Sequence, residues 1–141
     1  MIEINNNNQE KVNLKHLKKL GDFVLEKYDC ASALVSVALV SEAKMKDLNY
    51  SYRHLNKNTD VLSFPASTEE KEKENFLGEV ILNYSQIKRQ AKDLGHELNY
   101  ELDFIFIHGL LHLLGYRDEK KRDRDKMIAL GEKLLYDFKQ I

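Results

Sequence analysis

The sequence predicts an α+β fold, a single domain in which a small mixed β-sheet packs with about five helices, one of them buried at the centre. Three observations predict it. The chain has 141 residues, 43% hydrophobic and 32% charged, the size and balance of one domain around one core. Short runs rich in β-branched and apolar residues, at 32–40, 60–64 and 76–83, alternate with longer segments whose apolar positions recur every three to four residues. One such segment, 98–114, is apolar almost all the way round, and a helix of that kind has to be enclosed by other elements.

In chain order, MIEIN reads as a short first strand and the asparagines at 5–8 as a polar turn. Residues 12–28 form an amphipathic helix with Val12, Leu17, Leu20 and Val24 on its apolar stripe. SALVSVALV (32–40) is too short and too smooth for a surface helix and reads as a mostly buried strand. Ser41 can N-cap the next helix, whose inner stripe is Met45, Leu48 and Tyr52 and which the polar turn at 56–59 ends. DVLSF is a strand closed by Pro65, the sole proline. The charged stretch ASTEEKEKEN (66–75) reads as a solvated, mobile loop before FLGEVILN resumes as a strand. Three helices follow, at 85–94, 98–114 and 121–138, the last turning Met127, Leu130, Leu134 and Phe138 inward. There is no internal repeat.

Composition narrows the function classes. A formal net charge of −1 gives no global attraction to nucleic acid or anionic membrane, so any RNA contact must come from local patches. Cys30 is the only cysteine, which excludes an intrachain disulfide and a cysteine-cluster metal site and suits a reducing cytosol. The first residues lack the apolar core of a signal peptide, and no apolar run reaches the roughly 18 residues a membrane span needs. A cytoplasmic protein with no membrane partner is expected.

The central helix ends in HGLLHLLGYRD, residues 108–118. His108 and His112 lie one turn apart on the same face, with Cβ atoms roughly 5–6 Å apart, so both imidazoles can converge on one ion. Gly109 costs about 1 kcal/mol relative to alanine inside a helix, which points to a close approach by another backbone or a ligand. Gly115 stands where a left-handed C-cap would turn the chain back and bring Asp118 to the ion that the histidines hold. Three ligands with an open fourth position are the arrangement of catalytic zinc, whereas an isolated pair of histidines at this spacing is more often coincidence. Zinc peptidases place a glutamate directly after the first histidine, and here that position is Gly109. Peptide hydrolysis is therefore disfavoured, and other hydrolyses by metal-bound water stay open.

HGLLHLLGY, with RHLNKNTDVLSFP and LGEVILN, resembles the bacterial YbeY family of metal-dependent endoribonucleases and rRNA maturation factors across most of the chain. The family pattern His-Gly-x-Leu-His-Leu-x-Gly-Tyr-Asp-His falls on His108, Gly109, Leu111, His112, Leu113, Gly115 and Tyr116. Two positions depart: Arg117 stands in place of the aspartate, and Asp118 in place of the third metal-binding histidine. The family's arginine corresponds to Arg53, and its Thr-Asp-Val-Leu-Ser-Phe-Pro segment matches residues 59–65 unchanged. The resemblance implies a zincin-like domain acting in 16S rRNA 3′-end maturation and ribosome quality control. It implies one Zn2+ per chain on His108, His112 and Asp118, and rRNA and the small ribosomal subunit with its proteins as partners, with no DNA expected.

Asp118 is a harder, anionic ligand than imidazole, so it weakens the ion's pull on a bound water; Glu119 and Asp123 compete for the same role but lie off the family's offset. Arg53 can grip a phosphate with its guanidinium fork and oppose charge building on the phosphoryl oxygens, and Lys57 is a second substrate contact. Ser63 and Phe64 shape the strand beside the site, Thr59 and Asp60 fix the preceding turn, and Lys120, Lys121 and Arg122 form a solvated helix face. His16, His54 and His96 have no motif context. Two functions from different classes remain: a single-strand-specific endoribonuclease with Arg53 as its catalytic cation, and a non-catalytic assembly factor that holds RNA or a ribosomal protein in the same cleft.

Overall fold

The computed structural model describes residues 1–141. Ten elements follow one another: β1 (Ile2–Asn6), α1 (Leu14–Lys27), β2 (Leu34–Val40), α2 (Glu42–Arg53), β3 (Val61–Pro65), α3 (Thr68–Glu74), β4 (Phe76–Asn83), α4 (Tyr84–Leu94), α5 (Leu98–Leu113) and α6 (Lys121–Lys139). The strands form one mixed sheet in the order β1-β2-β4-β3, with β1, β2 and β4 parallel and β3 antiparallel to β4 at the edge. This is the predicted α+β class. No helix is long and apolar enough to cross a membrane.

Local chemistry sets the boundaries. Asn13 accepts from the His16 N–H and starts α1, so Val12 precedes the helix, while Leu17, Leu20 and Val24 are fully buried as their spacing predicts. Ser41 caps α2 by accepting from the Lys44 N–H. In β2 the side chains of Val35, Val37 and Leu39 enter the main core, and those of Leu34, Ser36 and Ala38 on the other face are half-buried. The strand therefore alternates instead of being buried on both faces, because only α2 and a small cluster of Val40, Met45, Leu62 and Ile81 cover the second face.

Two expectations are corrected. Residues 68–74 are a helix, α3, and not a loop, which brings the helix count to six. The cause is a capping box: Ser67 Oγ accepts from the Glu70 N–H while the Glu70 carboxylate accepts from the Ser67 N–H, and Lys73 pairs with Glu69 one turn back. Tyr52 leaves the inner stripe of α2 and is 65% exposed, its ring tilted against Phe64. Met45 and Asn49 take the inner face instead, because Asn49 Nδ2 donates to the Lys57 carbonyl at 2.9 Å and so ties α2 to the loop that follows. Asn83, also fully buried, donates to the Thr59 carbonyl at 3.2 Å and holds that loop at its other end.

α5 runs through the centre of the domain, against α1, α4, α6, β3 and β4. Leu102, Phe106, Ile107, Leu110 and Leu111 are all at most 4% exposed, so the helix is enclosed as its composition requires. The contact with the sheet is closest at Gly109, whose carbonyl accepts from Ser63 Oγ at 2.9 Å. A Cβ there would stand 2.8 Å from Val80 Cγ1 and 3.1 Å from Val61 Cγ2. The close neighbours are thus side chains of the sheet, Val80, Val61 and Ser63, where the sequence suggested another backbone or a ligand.

Gly109→Ala therefore sets a gain of about 1 kcal/mol in helix propensity against about 1–3 kcal/mol of overpacking. We expect a net loss of stability, read as a lower denaturation midpoint with an unchanged slope. A midpoint equal to or above wild type would show that the sheet retreats without cost.

Candidate metal centre and its cleft

His108 and His112 project from the last two turns of α5, with ring centroids 4.8 Å apart and planes nearly perpendicular. The helix then ends at Gly115, whose φ of 102° lies in the region that favours glycine. The Gly115 N–H donates to the His112 carbonyl and the Tyr116 N–H to the Leu111 carbonyl, both at 3.1 Å, which is a left-handed C-cap. The reversal returns Asp118 over the histidines: its Oδ2 is 3.0 Å from His108 Nε2 and 3.3 Å from His112 Nε2, and the two Nε2 atoms are 3.2 Å apart.

Those separations bear on whether the residues fit a cation. Bonds of about 2.0–2.1 Å to a tetrahedral ion put its ligand atoms about 3.3 Å apart, so three donors at 3.0–3.3 Å form one face of such a tetrahedron and leave the fourth corner open. The cap also orients a donor. His112 Nδ1 lies 3.1 Å from the Tyr116 carbonyl, which can only accept, so Nδ1 carries a proton and Nε2 is the ring atom turned towards Asp118 and His108. Burial raises the Asp118 carboxyl, but the hydrogen bond from His108 and the nearby imidazoles of His112 and His108 outweigh it and hold the group below the usual carboxylate range.

The three side chains, each half-buried, open into a cleft of about 650 Å³. Arg53, the last residue of α2, lines it as well, just before the loop that Asn49 and Asn83 hold. Thr59, Asp60 and Ser63 line it too, while Phe64 packs against Tyr52 outside it. Lys57 is exposed and does not line the cleft; its contribution to the fold is the carbonyl that Asn49 binds. Glu119 reaches the cleft but not the ligand group, and Asp123 reaches neither.

The cleft also contains Arg124, which sequence reasoning missed. It lies in the first turn of α6, its Nε donates to the Asp118 carbonyl at 3.4 Å, and with Arg53 it supplies the two arginines of the cleft. Nothing in the chain order signals it, because only the packing of α6 beside the Asp118 turn brings it there. Of the histidines without motif context, His16 lies 2.8 Å from the buried carboxylate of Asp103, His96 lies 3.5 Å from that of Glu101, and His54 ends α2 in a left-handed conformation.

The chain is similar to known proteins along nearly its whole length. Residues 3–139 match the family described as Endoribonuclease YbeY. A relative named Endoribonuclease YbeY from Thermodesulfovibrio yellowstonii is 39% identical over 89% of this chain and 86% of its own length. Another of the same name, from Mycoplasma capricolum subsp. capricolum, is 34% identical over 96% of this chain and 88% of its own. The solution structure of TM1509 from Thermotoga maritima superposes with a TM-score of 0.65 at 29% identity, covering 99% of this chain and 93% of that one.

A depressed Asp118 carboxyl makes an acid-stability prediction for protein stripped of metal by a chelator. The stabilisation is fully present above the ordinary carboxylate value of about 3.9 and is lost as pH falls through the lower folded value. Asp118→Asn should therefore lower stability at neutral pH and lose this part of the acid-unfolding limb. Identical limbs for the two proteins would mean that the histidines do not hold the carboxylate.

Proposed function

This chain belongs to the YbeY family of endoribonucleases, and from that premise we propose that it is a metal-dependent endoribonuclease that cuts single-stranded rRNA at the 16S 3′ end, in small-subunit maturation and quality control. The observation that carries the reading is the convergence of His108 Nε2, His112 Nε2 and Asp118 Oδ2 to within 3.0–3.3 Å at the floor of a cleft that Arg53 also lines. The proposed cofactor is one Zn2+ per chain on these three residues, two imidazoles and a carboxylate being a ligand set that zinc accepts. Such an ion supplies Lewis acidity towards a phosphoryl oxygen and makes a nearby water more acidic.

The chain's own residues do the rest. His112 is fixed in the ligating tautomer by the Tyr116 carbonyl, so it needs no reorganisation when RNA arrives. Arg53 grips the scissile phosphate through two N–H groups and opposes the charge that grows on its oxygens, the role of catalytic cation. Arg124 offers a second guanidinium from α6, so that a strand entering the cleft meets two cations. Lys57, outside the cleft, serves as a contact for the strand as it leaves. The two arginines offset part of the charge of Asp60, Asp118 and Glu119, and a bound dication would tip the balance towards a polyanion.

Metal-replete protein should contain about one zinc ion per chain by elemental analysis, and His108→Ala/His112→Ala should contain none. Equal metal in both would remove these residues from the site. Arg53→Ala should lower cleavage of a single-stranded 16S 3′-end fragment roughly 10²-fold or more while shifting stability by no more than about 0.5 kcal/mol. Arg53→Lys should recover part of the loss, since it keeps the charge without the fork. RNA binding by wild type without any metal-dependent cleavage would favour the assembly-factor reading.

A further inference from the structure

Next to the cleft lies a second groove of about 390 Å³ that the reading above leaves without a role. The two adjoin, sharing Phe104, Ile105 and Ile128 in their linings. Gln90 joins them from the side, because its amide donates to Asp60 in the cleft while it lines the groove. The walls are apolar and aromatic: Leu94 (61% exposed), Ile128 (37% exposed), Tyr100 and Phe104, the last two with ring planes only 8° apart. Large apolar side chains left in solvent beside an open groove invite a flat, weakly hydrated ligand.

At the foot of this groove is Glu101, 3% exposed. Its one hydrogen-bond contact is Oε1 to His96 Nδ1 at the long distance of 3.5 Å, and the carboxylate lines the groove, so acceptor capacity is left facing the open space. A carboxylate this little exposed draws its remaining donors from whatever occupies the groove, water or a ligand. The groove holds a second carboxylate, Glu132, and neither lysine nor arginine, so it repels a phosphate and accepts a neutral group rich in N–H donors. The cleft, with Arg53 and Arg124, has the opposite preference.

Helix geometry relates the two sites. Glu101, Ile105, His108 and His112 are spaced by four, three and four residues and so share one face of α5. Glu101 and His108 are seven residues apart, about 10 Å along the axis, the scale of a single nucleotide. Resting on the endoribonuclease reading, we propose that the groove is a base-recognition subsite that takes an unpaired guanine next to the scissile phosphate. Guanine presents adjacent N1–H and N2–H donors on its Watson–Crick edge, which a carboxylate accepts in pairs, while its faces lie against Tyr100, Phe104 and Ile128.

The test uses zinc-replete protein and short oligouridylates carrying one guanine, hypoxanthine or adenine, with binding read by fluorescence anisotropy. The guanine oligomer should bind at least about tenfold more tightly than the adenine one, with hypoxanthine, which lacks the 2-amino group, between them. Glu101→Gln should shrink the guanine-to-adenine ratio to about twofold or less, because an amide offers one acceptor and not two, while zinc content is kept. Ile128→Ser should weaken all three oligomers alike. Mapping the cuts in a 16S 3′-end fragment gives a second readout, with cleavage falling next to guanines in wild type. Equal affinity for guanine and adenine oligomers, or cuts placed without regard to guanine, would overturn the subsite and leave the endoribonuclease reading standing. Neither binding nor cleavage of any RNA would overturn both. Should Glu101→Gln fail to fold, the wild-type order of the three bases still decides.

Discussion

The absence of a side chain at Gly109 is what the rest of the site depends on. Val80 and Val61 stand where its Cβ would be, and Ser63 donates to its carbonyl, so α5 lies directly on the antiparallel edge of the sheet. That contact is made between the two histidines. Any residue with a Cβ would lift the helix there, moving the imidazoles away from the β3 residues that form the cleft's other lining. The roughly 1 kcal/mol that a helical glycine costs is offset by interior packing that tolerates no gap at this point.

A second constraint follows at the end of the same helix. The C-cap at Gly115 satisfies the last carbonyls of α5, delivers the Tyr116 carbonyl to His112 Nδ1 and turns Asp118 over the imidazoles. One turn thus ends the helix, sets a tautomer and brings the third donor. A carboxylate at residue 118 suits this turn, since it reaches both Nε2 atoms. The added negative charge lies in a cleft with two arginines, one of which, Arg124, is anchored on the backbone of Asp118 itself.

Much of this was legible in the chain because the signals are local. The cap at Ser41, period-three-to-four stripes and β-branched runs each act within a few residues, and the helices and strands fall close to their expected bounds. The capping box at Ser67 and Glu70 is as local, and was masked by the charge of its segment, which reads as solvated loop. Tyr52 was misplaced for another reason. Its spacing fits the stripe, but the buried amide of Asn49 wins the inner face by bonding to a loop carbonyl eight residues on. Hydrophobic periodicity carries no information about such a bond.

What the sequence by itself determined is the composition of one helix and its cap: two histidines one turn apart, a glycine between them, a glycine after them and a carboxylate beyond, a set whose geometry follows from helical rise and left-handed capping alone. What only the tertiary structure decided is which distant groups face that set. Arg53 and Arg124, 71 positions apart in the chain, come from different helices, and Glu101 of α5 shares its groove with residues of α4 and α6. Those placements depend on how whole elements pack, through contacts between residues far apart in the chain, and no pattern within a single segment records them.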